Sequence, residues 1–559
     1  MTALLTDNLP LLSGAPNGIK KLRELILELA VRGKLVPQDP SDEPASELLN
    51  LLITEAGSAT GRGKGKKQAL PGITESEQLF ILPEGWVWGR LGDVTEVLDS
   101  LRKPVTKQDR KPGPYPYYGA SGVVDYVSAY IFDEPLVLVG EDGAKWGAGE
   151  RTAFSISGKT WVNNHAHVLR PKRSVILDDY LVISLVAQDL NQFITGMTVP
   201  KLNQARLTSI GISLPPLAEQ HRIVAKVDEL MALCDRLEAR QADAESASAQ
   251  LVQALLDSLT QARDAEDFTQ SWRRLAEHFH TLFTTESSID ALKQTLLQLA
   301  VMGKLVPQDS SDEPASIYYS RKLELPKDCV RSGKQRIKEK ALIGAKDLPC
   351  IPGSWVYKSI DELYQSGHIV DYADGNHGSF YPRKDEFSDE GVIFLTAAQI
   401  AADGSILWHE CPRLSQAKAK QLTKGWSELG DVFYTHNATV GRTAISCEGP
   451  QSKFLLGTSV TFYRVNDGGI SPSFLYWYFS STSWSNQAEL VMRQTTRNQV
   501  SITKQALFFV ALPPLAEQHR IVAKVDQLMA LCDQLKTRLS QARQVREQLA
   551  NALVEQALA

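Results

Sequence analysis

No stretch of the 559-residue sequence is apolar over the about 20 residues that a helix needs to cross a bilayer. Runs such as Leu136–Gly140 are far too short. Met1 to Pro10 lack the charged-then-apolar layout of a secretory leader. The six cysteines show no C-x-x-C spacing, which argues against a zinc site or a disulfide framework and suits a reducing cytoplasm. Positive charge is not in excess either. Sixty Lys and Arg against 65 Asp and Glu leave a formal charge of −5, so any contact with a polyanion has to come from local patches.

Catalytic signatures are also missing. Gly57–Lys67 resembles a phosphate loop, but Lys64 is followed by Gly65, which breaks the G-x-x-x-x-G-K-[ST] spacing. There is no N-P-P-Y type motif, and no G-x-G-x-x-G between a strand and a helix. His165 with His167, and His278 with His280, lack a third ligand at metal-site spacing, so no metal is expected. His221 and His519 have no nucleophile or paired acid nearby and read as capping or interface residues. No catalytic residue is expected. With 43% hydrophobic and 22% charged residues, the chain reads as a soluble, cytoplasmic protein of roughly three to five domains.

What is present is repetition. Leu214–Asp235, LPPLAEQHRIVAKVDELMALCD, recurs at Leu512–Asp533 with only Glu229 changed, to Gln527. Gly33–Ser46, GKLVPQDPSDEPAS, recurs at Gly303–Ser316 with one difference, and each copy follows a helix-like stretch beginning at Ile19 or Ile289. The intervening regions share little beyond a P-x-x-W-V motif, Pro83–Val87 and Pro352–Val356. Two copies of one long unit imply an internal pseudo-dimer, its repeated blocks held alike by a shared structural job.

The blocks at Leu214 and Leu512 each head a long helix. The prolines at 215, 216, 513 and 514 suit a helix start, and helices from Pro216 to about Ala262 and Pro514 to about Ala557 are expected. Steps of four and three place Ile223, Val227, Leu230, Cys234 and Leu237 on a heptad seam, continuing through Ala244, Ser248, Leu251 and Leu255. Ile521, Val525, Leu528, Cys532 and Leu535 repeat it, followed by Leu539, Ala542, Leu549 and Leu553. Two matched seams in one chain predict that the helices pack on each other as a coiled coil. Asp257–Phe283 reads as one connecting helix, with Phe268, Trp272, Leu275, Phe279 and Leu282 on one face. Gly33 and Gly303 sit where a helix cap wants a left-handed residue. Residues 57–72 and 331–346 read as basic linkers. The two unlike regions, rich in aromatics, glycine and short β-like runs, read as mixed α/β domains.

Two P-L-x-E-Q-x-x-I headed helices, paired GKLVPQD blocks and unlike domains between them resemble the specificity subunit of a type I restriction-modification system along nearly the whole chain. The resemblance implies a mixed α/β fold with a pseudo-two-fold internal repeat, in which two target-recognition domains are separated by two long antiparallel coiled-coil helices. The parts would be a helical region at 1–55, a linker at 56–85, the first recognition domain at 86–213 and the central long helix at 214–263. A connector and second repeated region at 264–316, a linker at 317–354, the second recognition domain at 355–511 and the C-terminal helix at 512–559 would follow.

The resemblance further implies a non-catalytic chain that brings two methyltransferase subunits, and through them nuclease-translocase subunits, to a split DNA site for adenine N6 methylation. S-adenosylmethionine and ATP with magnesium would be bound by those partners. Base and phosphate contacts would come in the first domain from Arg102, Lys107, Arg110, Tyr117, Asn163, Asn164, His165, Lys201, Asn203 and Arg206. In the second they would come from Arg383, Lys384, His436, Asn437, Arg442, Arg493, Arg497, Asn498 and Lys504. The repeated blocks, with Arg222 and Arg520 as exposed candidates, would bind the two identical partners. Two alternatives stand beside this reading: a DNA-modifying or cleaving enzyme with an unrecognised site, and a coiled-coil scaffold that binds no DNA.

Overall fold

The computed structural model describes residues 11–58, 72–196, 198–326, 348–493 and 498–558. Most of the two expected linkers, and Arg497, lie outside the described residues. The chain forms two compact units, one of Met1–Glu245 with Gln541–Ala559 and the other of Ser246–Ser540. Mixed α/β architecture is found in both. Among the described residues no helix is long and apolar enough to cross a membrane.

In the first unit, Gly18–Val31 forms a helix whose Leu22, Leu25, Ile26 and Leu29 are buried. Gly33 ends it at φ 66°, and a side chain there would strike Pro83 and Trp86 of the P-x-x-W motif. The domain that follows enters on a strand, Val87–Arg90, and leaves on Gly211–Leu214. The two pair antiparallel, Val87 opposite Leu214. Everything between them is thus an insert closed at its neck. Its main sheet runs in the order Thr95–Val97, Ala166–Pro171, Leu136–Gly140, Ala153–Ile156. Leu136–Gly140 is buried at every position, as its unbroken apolar run requires of a central strand. A second sheet holds Gly122–Val127, Pro112–Gly119, Lys159–Val162 and Phe132–Asp133.

The second unit repeats the plan around a different sequence. Its helix Glu286–Val301 ends at Gly303, φ 70°, against Pro352. Val356–Ser359 pairs with Phe509–Leu512 to close the neck. The main sheet reads Ile369–Ala373, Val460–Val465, Val432–Thr435, Thr443–Ile445, the same connectivity as in the first unit. A five-stranded sheet is added, which includes Phe387–Ser388 and Val392–Leu395.

The long helices run Leu217–Thr260 and Leu515–Leu558, 44 residues each, or about 66 Å at 1.5 Å per residue. Each contributes its first part to one unit and its last turns to the other. The expected seam is buried at Ile223, Val227 and Cys234, with Leu230 and Leu237 partly covered. Its partner, however, is not simply the other long helix. In the first unit the seam shares a core with the short helix Gly18–Val31 and with Ala550 and Ala557. Arg23 bonds Asp235 and Glu238 at 2.7 and 2.8 Å, and Lys21 reaches Glu547 and Asn551 at 3.2 and 2.8 Å. In the second unit Ile521, Val525 and Cys532 are buried with Leu292, Leu296 and Val252, while Leu528 and Leu535 are partly covered.

Two expectations are corrected. The heptad register holds only in part beyond Leu237: Leu255, Leu539 and Leu553 are partly covered, but Leu251 is 53% exposed, and Val252, Leu256 and Leu259 are buried instead. Val252 lies 18 residues after Cys234, which is five turns at 3.6 residues per turn. A straight helix returns to the same face there, whereas a strict heptad drifts about 20° per repeat. The same offset links Cys532 to Ala550, while Leu549 is 49% exposed. In the first long helix, residues 238–250 include no large apolar side chain to hold a supercoil. The connecting helix is also broken. The long helix ends at Thr260, Asp264 caps a new helix at Ala265–Glu277 by accepting from Asp267 N, and Phe279–Leu282 is a separate turn.

Candidate nucleic-acid interface

The repeated blocks meet inside each unit. Trp86 Nε1 donates to Glu219 Oε2 at 2.9 Å, Gln38 donates to Glu219 Oε1, and Arg222 pairs with Asp42 at 2.6 Å. The second copy matches: Trp355 to Glu517 at 3.1 Å, Gln308 to Glu517 at 2.6 Å, Arg520 to Asp312 at 2.6 Å. Lys34 Nζ donates to Leu558 O and Lys304 Nζ to Thr260 O, so each GKLVPQD block places a cation on the carbonyl end of a long helix. Burial raises the carboxyls of Glu219 and Glu517 above the usual glutamate range, opposed by the indole and amide hydrogen bonds. Gln220 and Gln518 complete the seat, accepting from Leu177 N and Ser471 N. Arg222 and Arg520, read from sequence as exposed, are therefore half-buried internal partners. His221 and His519 beside them are exposed.

Some of the DNA-contact candidates lie together where the chain leaves a central strand of each main sheet. In the first domain the chain after Leu136–Gly140 meets the loop at Asn163–His165 and the segment before the helix Gln204–Ser209. Glu141 N donates to His165 O and Leu202 N to Glu141 O, both at 2.8 Å, and Asp142 forms an antiparallel bridge with Lys201. The second domain repeats this junction. His436 N donates to Ser459 O at 3.0 Å, Val500 N to His436 O at 2.9 Å, and Asn437 bridges Gln499. Lys201 and Gln499 thus occupy one position, 298 residues apart, as do the helix caps Asn203 and Ser501, which accept from Arg206 N and Lys504 N. Asn203 is a cap, and its carboxamide oxygen is committed there.

Beneath this junction lies a polar knot. His167, 1% exposed, bonds Asp99 at 2.5 Å and Leu202 O at 2.7 Å through its two ring nitrogens. Arg102 pairs with Glu141 and Asp99, and Lys201 Nζ with Glu141 at 2.7 Å. Asp99, Glu141 and His167 have ligand atoms within 4.8 Å of one another, the spacing a cation could use, but Arg102 and Lys201 already neutralise the carboxylates. In the second domain the corresponding positions hold Asp374, His436 and Thr461. His436 is buried, with Nδ1 on Thr461 Oγ1 at 2.9 Å, and burial holds its imidazole below the usual histidine range. A surface histidine pairs with an aspartate at each junction, His165 with Asp142 and His377 with Asp374.

The structure separates framework from surface among the candidates. Arg102, Tyr117, Asn163 and His436 are turned inward, and Arg110 lies over the Tyr117 ring at 4.4 Å and pairs with Asp125. Arg442 is half-buried and donates to Ile400 O at 2.7 Å, and Lys504 is half-buried. Exposed are Lys107, Asn164, His165, Lys201, Arg206, Arg383, Lys384, Arg493 and Asn498, with Asn437 half-buried. Of these, Asn164, His165, Lys201, Arg206, Asn437 and Asn498 belong to the two junctions. Arg383 and Lys384 lie on the turn into Phe387–Ser388 of the five-stranded sheet, and no hydrogen bond or ion pair among the described residues ties them to the junction. Sequence reasoning missed Asp142, Asp374 and the knot. The signal was available: the 298-residue offset of the LPPLAEQHR blocks, carried backwards, aligns Lys201 with Gln499.

The type I restriction modification DNA specificity domain matches residues 83–245 and 365–542. The EcoEI specificity subunit of Escherichia coli is 33% identical over 97% of this chain and 94% of its own length, and the EcoAI specificity subunit of the same organism is 32% identical over the same shares. A solved chain of a type I R-M system aligns at 18% identity over 86% of this chain and 99% of that one, with a TM-score of 0.48.

Proposed function

The chain belongs to the type I restriction-modification DNA specificity family, and on that premise we propose that it is the component that reads a split DNA site without catalysing chemistry itself. Each α/β domain reads one half-site. The long helices fix the separation, and the repeated blocks, at surfaces including His221 and His519, recruit two copies of a methyltransferase subunit and through them nuclease-translocase subunits. S-adenosylmethionine, ATP and magnesium belong to those partners, and the modified atom is adenine N6.

One observation carries the reading: two domains of unlike sequence share one strand order and are inserted between identical seats. Identical seats suit identical partners, and unlike inserts suit unlike half-sites. A duplex presents the same groove face every 34–36 Å, so helices of about 66 Å are long enough to set readers on successive grooves. In this reading the two long helices, the coiled-coil part of the fold, are the struts, and each also packs against a short repeat helix.

The test is binding and methylation by the full chain with and without a co-expressed type I methyltransferase subunit. Sequence-specific methylation only when both are present supports the reading. Cleavage or methylation by the chain alone would favour a stand-alone enzyme, and no DNA binding in either form would favour a scaffold.

A further inference from the structure

The two junctions are built alike where the sequences are not, and this singles out particular positions. After each central strand the chain makes a turn whose second residue is left-handed: Asp142–Gly143, φ 68°, and Asn437–Ala438, φ 63°. Ala438 and Asn17 are the non-glycine residues with positive φ among the described residues. An alanine held there against its steric preference means that the surroundings impose the turn. The residue before the left-handed one is bridged to the extended segment that leads to the capped helix, Lys201 in one domain and Gln499 in the other. Main-chain geometry is thus shared while the side chains differ, aspartate with lysine against asparagine with glutamine.

Resting on the reading above, we propose that these bridge positions, 142 with 201 and 437 with 499, are the specificity-determining residues of the two half-sites. The fixed backbone sets where a side chain meets the groove, and the side chain sets which base is accepted. Lys201 is 45% exposed at its side chain. Its ammonium has three donors, of which Glu141 takes one, leaving two for the O6 and N7 acceptors of a guanine. Asp142 beside it has one oxygen on His165, and its other oxygen is an acceptor that suits the exocyclic amine of a neighbouring cytosine. Gln499 and Asn437 are carboxamides, which donate and accept together and match the N7 and N6 edge of adenine. The first half-site therefore contains a guanine read at 201, and the second an adenine read at 499.

The experiment exchanges the two side chains, Lys201→Gln in one protein and Gln499→Lys in another. Each full chain is co-expressed with a type I methyltransferase subunit and offered a randomised duplex pool, and the bound DNA is sequenced. Lys201→Gln is expected to move preference from guanine to adenine at one position of the first half-site by about tenfold or more, leaving the second half-site unchanged. Gln499→Lys is expected to do the converse in the second. Unchanged preference at every position, or weakening spread evenly over all positions, would overturn the proposal. Because Lys201→Gln also strips Glu141 of a partner, Gln499→Lys, where no such pair is broken, decides the matter if the first protein does not fold. A wild-type complex that selects no sequence at all would instead remove the underlying reading.

Discussion

At the scale of single residues, the turn after the central strand gives the cleanest prediction. Gly143 and Ala438 have the same left-handed backbone, and a side chain at Gly143 would meet nothing within 4 Å. Only the backbone preference separates them, about 1–2 kcal/mol. Ala438→Gly should therefore stabilise the second unit by about 1 kcal/mol and Gly143→Ala should destabilise the first by a similar amount, read from the corresponding transition in urea. Glu219 and Glu517 give a pH prediction. Their carboxyls are raised by burial, so above the usual glutamate value the folded state holds protons that the unfolded chain has released. Their contribution to stability is present in acid and is lost as pH rises from about 4.5 through the raised value. Glu219→Gln keeps an acceptor for Trp86 Nε1 and removes the titration, so the denaturation midpoint of the variant should fall less than that of the wild type across this window.

At the scale of elements, the long helices separate two kinds of apolar residue that a heptad count puts on one seam. Leu256 is 1% exposed and Leu251 53%. Leu256→Ala should cost about 2–5 kcal/mol, and Leu251→Ala less than about 0.5, measured by chemical denaturation. Equal costs would restore the heptad register. How far the sequence foretells structure is clear from these elements. The helix starts after Pro216 and Pro514, the left-handed Gly33 and Gly303, and the buried strands at Leu136 and Val432 were all legible, because each follows from local backbone or pattern rules. The switch of register past Leu237 was not, since nothing local tells a helix whether a partner holds it to a supercoil. Arg222 and Arg520 looked like surface residues for the same reason: their partners, Asp42 and Asp312, are distant in sequence. Arg222→Ala should lower the stability of the first unit by about 1 kcal/mol, the pair being only partly shielded from solvent. Of the candidate interface residues, type and spacing alone could not tell Lys201 on the surface from Arg102 in the knot.

At the scale of the whole molecule, the duplicated plan explains why the sequence is alike in some places and free in others. Gly33, Lys34, Gln38, Asp42, Trp86, Glu219 and Arg222, with their copies, all take part in one seat, so a change at any of them loosens how the inserted domain is held. The inserted domains meet that seat through a two-stranded neck and through Leu177 and Ser471, whose amides donate to Gln220 and Gln518, and away from these contacts they are free to diverge. Replacing residues 91–210 by the matching insert of a relative with another specificity, keeping both neck strands, is the most direct test of this account. Methylated adenines would then be mapped across a genome carrying the exchanged chain. The expected result is a split motif in which one half changes while the other half and the spacer length stay as before. A change in both halves, or a motif that is not split, would contradict it.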